Sequence, residues 1–217
     1  MTILAEPTLS VLMRDGSRAE HTAAETSAFT SALVGGRVNA DGYAAYLGRL
    51  RPVYAALESV GARLASAPEL AGIVDSALDR LDALDADLAF WGGRPASASE
   101  SPAVDTYVAR ILATTAEPAR YLAHHYTRYL GDLSGGQAIG RVLARQFSLE
   151  AGAGLAFYDF SAVGRAKPYK DAYRARLDTA PLTSAQREDV VGEVRRAFAL
   201  NQQIFDELSA ELPRYLV

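Results

Sequence analysis

Four residues near the start of the chain, Arg14, Arg18, His21 and Glu25, are spaced four, three and four apart. At ~100° per helical residue they share a sector of roughly 60° on one face. The stripe has two readings. It is either a solvated face laced by i,i+4 pairs, or a face that offers an imidazole to a metal, with Glu25 orienting the ring through its second nitrogen. In the second reading the arginines face anionic groups on whatever carries the metal, and porphyrin propionates fit that description.

The run GDLSGG at 131–136 is the second constellation. Glycine costs ~1 kcal/mol relative to alanine inside a helix, so three in six residues call for a reason. On an α-helical wheel Asp132 projects between Gly135 and Gly136, a lone carboxylate on a face stripped of side chains. Close helix contact or a helix-ending loop would explain the glycines. So would a helix whose backbone presses on a flat ligand, kinked at the glycine pair. A phosphate-binding loop is disfavoured, since no strand signal precedes the run and no Lys-Ser/Thr follows it.

Lys170 and Arg174 lie one turn apart, and Phe198, Asn201 and Phe205 form an aromatic face interrupted by one amide. Aromatics at this spacing are ordinarily core, but an amide among them needs hydrogen-bond partners. The adjacent His124 and His125 point ~100° apart on a helix and cannot jointly grip one ion without backbone help. They read as surface or core hydrogen-bonding groups.

The elements that must position these residues are helices. Apolar residues recur at helical spacing nearly throughout, with no sustained alternation of strand type, so the fold expected is all-α. Breakers at 34–39, 66–70, 91–102, 151–154, 163–168 and 180–184 leave about six to eight helices. Asn39 or Asp41, Ser101-Pro102, and Thr183 or Ser184 are the helix starts. The 217 residues, 49% hydrophobic and 22% charged, suit a single domain over 1–217.

A net charge of −4 argues against a nucleic-acid partner, and the absence of cysteine removes disulfides, thiolate metal sites and thiol nucleophiles. No apolar run approaches a membrane span and MTILAEPTLS has no leader pattern, so the expected location is the cytoplasm, without a membrane anchor. A carboxylate-bridged di-iron bundle would want two Glu-x-x-His motifs, which do not occur around the three histidines.

With these residues in place the chain resembles the biliverdin-producing heme oxygenases of the soluble bacterial type. AHHYTRYLGDLSGGQAIG is similar to that family's distal-helix signature, and EHTAAETSAF to the segment around its proximal heme ligand. DLAFWGG, GLAFYDF, YKDAYRARL and AFALNQQIFDEL follow in the family's order, and the similarity spans about residues 9–210.

The resemblance implies heme b sandwiched between a proximal helix, with His21 as iron ligand and Glu25 behind it, and a kinked distal helix carrying Gly131, Asp132, Gly135 and Gly136. It implies that Arg14, Arg18, Tyr126, Lys170 and Arg174 face the propionate edge. Tyr54, Arg128, Phe198, Asn201 and Phe205 match pocket or hydrogen-bond-network positions. Heme is then both substrate and cofactor, opened at the α-meso carbon with O2 to give biliverdin, CO and Fe(II). Electrons come from a ferredoxin or flavoprotein reductase, Asp132 anchors the water that delivers a proton, and iron acquisition is one purpose served. A non-catalytic heme carrier of the same fold is the alternative. Arginine stands at 14 and 18 where many relatives have lysine, which is not a neutral exchange at an anion site.

Overall fold

Serine, threonine and asparagine side chains set several of the helix boundaries. In the computed structural model, which describes residues 7–97, 99–150 and 152–217, the N-terminal stripe is divided among α1 (Leu9–Gly16), α2 (Arg18–Glu25) and α3 (Ala28–Val34). The sequence pattern favours one continuous helix there, and local hydroxyls account for the breaks. Ser17 Oγ bonds back to the Met13 carbonyl at 2.7 Å and Thr26 Oγ1 to that of Thr22 at 2.9 Å, a competition with the helix ladder that bends or ends it. Ser27 then caps α3 by accepting from the Thr30 amide.

Further along, Asn39 accepts from the Gly42 amide to start α4 (Ala40–Leu64), and Ser101, followed by Pro102, starts α6 (Pro102–Ala113) after α5 (Leu81–Trp91). Thr183 and Gln186 form a reciprocal capping box at the head of α10 (Ser184–Ala210). Before α10 come α7 (Pro118–His125), α8 (Gln137–Gln146) and α9 (Ala166–Asp178), and after it a final turn, α11 (Leu212–Tyr215). Among the described residues there is no β-strand, only an isolated bridge between Val38 and Leu216. No helix of the described residues is long and apolar enough to cross a membrane.

One apolar core joins these helices, with Leu9, Phe29, Leu57, Leu122, Leu143 and Ile204 among its members. At 27 residues α10 is the longest helix, roughly 40 Å at the usual rise, and it packs against α1, α2, α3, α6 and α7. A helix touching so many others can hold side chains from distant parts of the sequence in one register.

The expected irregularity in the distal helix takes a definite form. Between α7 and α8 the chain stays helical but widens into π-helical turns over Tyr126–Leu130 and Asp132–Gly136. Gly131 between them keeps helical angles, φ −59° and ψ −52°. Wide turns of this kind are rare and tend to occur at functional sites. They also change the angular phase of Asp132 relative to the glycines, which a 100° wheel does not anticipate.

Candidate functional site: an open glycine backbone and a half-exposed histidine

His21 sits on α2 with half of its side-chain surface exposed, and its Nδ1 lies 3.3 Å from Glu25 Oε2, one turn on. This i,i+4 contact is local, so α2 alone supplies it. The ring is steadied from α10, where Phe198 meets it edge-on at 5.3 Å between centroids. An imidazole with one nitrogen engaged and its ring partly open can ligate a metal through the other nitrogen.

Three residues beyond Phe198 on α10, Asn201 is buried and accepts a 2.5 Å hydrogen bond from Arg128 Nη1. The Arg128 guanidinium also donates to the Tyr54 hydroxyl from Nε at 3.3 Å and from Nη2 at 3.2 Å, and Nη2 lies 3.7 Å from Asp132 Oδ1. Tyr54 in turn donates to Asp132 Oδ2. Thus α10 touches His21 with Phe198 and the distal polar network with Asn201, three residues on. The two walls of the site share a floor.

This network is buried, and burial pushes the Asp132 carboxyl above the ordinary aspartate range, against the opposing pull of the Arg128 charge and the Tyr54 hydroxyl. Burial likewise drives the Tyr54 phenol well above its usual value. The result is a carboxyl that holds a proton more readily than a surface aspartate, next to a fixed guanidinium and a phenol that stays protonated.

The glycines divide by what lies over them. A Cβ built on Gly131 or Gly135 would meet nothing within 4 Å, so these two backbone positions face open space. Gly136 faces the protein: a Cβ there would come 2.9 Å from Tyr158 Cδ1, and at Gly140 3.2 Å from Tyr158 Cβ. Close packing on the Tyr158 ring therefore requires glycine at 136, whereas the openings at 131 and 135 are a cradle that any larger residue would fill.

Cations gather at one edge. Tyr126, on the first wide turn, lies within the electrostatic reach of Arg174 and Arg14, and Lys170 Nζ donates to Ser134 Oγ at 3.1 Å across from α9. Arg174 Nη1 bonds to Asp171. Arg14 and Arg18 are exposed, and both reach Asp15 Oδ1, at 2.9 and 3.1 Å; the break at Ser17 separates them into different helices. Phe205 is buried farther along α10, stacked against Tyr46 at 6.0 Å.

The two adjacent histidines are core groups. His124 Nε2 meets Glu193 Oε1 at 2.9 Å and His125 Nδ1 meets the Tyr173 hydroxyl at 2.8 Å, both buried. Two residues join the site that motif reading passed over: Ser134, which takes Lys170, and Tyr107, whose buried hydroxyl has no partner although it feels the charges of Arg128 and Asp132. Nothing in the local pattern of α6 marks Tyr107. A serine inside GDLSGG was legible as a polar neighbour of Asp132 only.

The residues present suit a flat, anionic, metal-bearing ring: an available imidazole, a side-chain-free backbone cradle, and cations at one edge. Fold and site together define the class, an all-helical protein whose open glycine backbone suits a planar ligand. The comparisons with known proteins agree. Residues 7–207 match the family model described as heme oxygenase. The chain is 37% identical to heme oxygenase 1 of Homo sapiens over 205 residues, 92% of this chain and 71% of that protein. It is 36% identical to heme oxygenase 1 of Synechocystis sp. over 208 residues, 94% of this chain and 86% of that one. Its fold superposes on the crystal structure of the Synechocystis heme oxygenase-1 in complex with heme with a TM-score of 0.88, covering 96% and 95% of the two chains at 33% identity in that alignment. The heme oxygenase of Leptospira interrogans gives 0.86 at 35% identity, over 93% and 100%. The chain belongs to the heme oxygenase family, a family of heme-degrading, biliverdin-producing oxidoreductases.

Proposed function

We propose that this protein, acting in the cytoplasm, binds heme b as substrate and cofactor and opens it at the α-meso carbon to biliverdin, CO and Fe(II). The observation that carries the reading is the open backbone at Gly131 and Gly135, joined through α10 to the His21–Glu25 pair. A carboxylate-supported imidazole would hold the heme iron through its free nitrogen, and the bare helix surface would leave room for a porphyrin. Lys170, Arg174, Arg14, Arg18 and Tyr126 take the propionates.

Bound heme supplies the O2-binding iron and the ring that is oxidised. The protein's own work is seating and proton supply. Asp132 is the catalytic acid group: its carboxyl, held by Tyr54 and balanced by Arg128, anchors water and passes a proton to it. Burial raises its pKa, so the carboxyl holds the proton it passes on more readily than an exposed aspartate would. Arg128 and Asn201 fix the carboxyl from behind, and the glycines at 131 and 135 keep bulky groups off the reacting face. Electrons come from a ferredoxin or flavoprotein reductase.

The deciding experiment mixes purified protein with hemin, records the Soret band and iron–imidazole stretch, adds reductant under air, and identifies the pigment. Biliverdin with CO release is the expected outcome. Hemin bound and left intact would make the protein a heme carrier instead.

A further inference from the structure

We infer that the buried contact between His125 and Tyr173 is a register lock that fixes how the ring is turned in its cleft, and so selects the meso carbon that is opened. The inference rests on the function proposed above.

Helix α9 bridges the two walls of the site. At its C-terminal end Asp178 accepts from the Ser10 amide at 2.8 Å and the Ser10 hydroxyl at 3.0 Å, tying it to α1 on the proximal side. Near its middle, Tyr173 meets His125, the last residue of α7, on the distal side. The two cations that α9 brings to the propionate edge, Lys170 and Arg174, flank Tyr173 in sequence. Any slide or turn of α9 therefore moves both.

Three side-chain bonds hold α9 ahead of its last turn: Tyr169 to Asp75 at 2.8 Å, Lys170 to Ser134 at 3.1 Å, and Tyr173 to His125 at 2.8 Å. The first is partly buried and the second exposed, so water competes with both. The third is fully buried, with the two rings stacked at 5.7 Å and 11°. His125 is further wedged by Tyr129, 4.5 Å away between centroids, and by Tyr121 at 5.8 Å. A buried ring packed between Tyr121 and Tyr129 and bonded to Tyr173 holds α9 in one position relative to the distal helix.

Function enters through geometry. A porphyrin's four meso positions are a quarter-turn apart in one plane, and of the peripheral groups that break that near-symmetry only the propionates are charged. Charge-assisted contacts to carboxylates are short and close to fixed in length, so cations moved with α9 favour a different in-plane rotation. Loosening the lock mixes rotational states that the intact protein excludes.

The test uses the full chain loaded with hemin, comparing Tyr173→Phe, His125→Leu and His125→Asn, the last because an asparagine amide can occupy the place of Nδ1. Two readouts are taken. One is the distribution of biliverdin isomers after turnover. The other, needing no turnover, is the pattern of hyperfine-shifted heme methyl signals in the proton NMR spectrum of the ferric cyanide complex. Tyr173→Phe and His125→Leu should retain the iron–imidazole signature while minor isomers rise roughly fivefold, the preference lost with one ordinary hydrogen bond. A second set of methyl signals should accompany the rise, and His125→Asn should restore the parent pattern.

An unchanged isomer ratio and a single methyl set in Tyr173→Phe would overturn the lock. So would an equal shift in all three variants, which would mean general loosening. A parent protein that binds hemin but yields no biliverdin would refute the proposed function, while the methyl pattern would still report on the lock.

Discussion

Alanine at each of three neighbouring glycines separates the roles that the structure gives them. At Gly131 the backbone is helical and a Cβ would meet nothing within 4 Å; at Gly135 the space is equally open. Alanine there removes the conformational entropy of glycine from the unfolded chain and adds no clash, a gain of about 0.4–1 kcal/mol. With 217 residues and about 2.1 cal/mol/K of unfolding entropy per residue, 1 kcal/mol corresponds to about 2 °C. The heme-free protein should therefore melt about 1–2 °C higher with either substitution. At Gly136 the new methyl would stand 2.9 Å from the buried Tyr158 ring, an overpacking that costs about 1–3 kcal/mol and lowers the melting temperature by several degrees.

Heme binding should run the other way. A methyl at 131 or 135 occupies the surface on which the ring lies and holds it off by a good part of a van der Waals radius, a loss of about tenfold in affinity for a strain near 1.4 kcal/mol. Scanning calorimetry of the heme-free variants and hemin titration at the Soret band measure the two effects separately. Should Gly135→Ala melt lower than the parent, or bind hemin equally well, the assignment of that face to the ligand is wrong.

Three further outcomes follow from the same geometry. His21→Ala should lose the native axial ligation; a resonance Raman spectrum with an unaltered iron–imidazole band would mean that another residue holds the iron. Asp132→Asn, which keeps the shape beside Tyr54 and removes the titrating carboxyl, should retain hemin but lose most biliverdin formation, and an unchanged yield would remove Asp132 from proton supply. Urea midpoints should fall as pH drops below 6.5, because burial lowers His125 to about 3, so only the unfolded chain takes up that proton between those values. Glu193 acts in the same direction at lower pH: burial would raise it, but Arg110 and His124 outweigh burial and hold it at about 2, so its contribution is lost as pH falls from 4.5 through about 2. His125→Asn should flatten the upper part of the profile; an unchanged slope there would contradict the buried neutral imidazole.

What could be read from the chain alone was whatever depends on residues within one turn of each other. The caps at Asn39, Ser101 and Thr183 use a side chain and an amide three residues on, and the His21–Glu25 contact spans a single turn; both are fixed by helix geometry before any tertiary contact forms. The links that turn Asp132 into more than a carboxylate among glycines are of another kind. Tyr54 lies 78 residues away from it, and Asn201 lies 73 from Arg128. Their meeting depends on α4 and α10 crossing under the distal helix, which no spacing rule encodes. The wide turns belong to the same category, since a 100° wheel presumes the regular winding that they abandon. That wheel put Gly135 and Gly136 on either side of Asp132 as equivalent neighbours, yet one faces open space and the other Tyr158. The glycines thus solve two problems in consecutive residues. Gly135 leaves the helix surface bare, and Gly136 lets the helix come down on the aromatic ring that supports it, so the open face is held in place from behind.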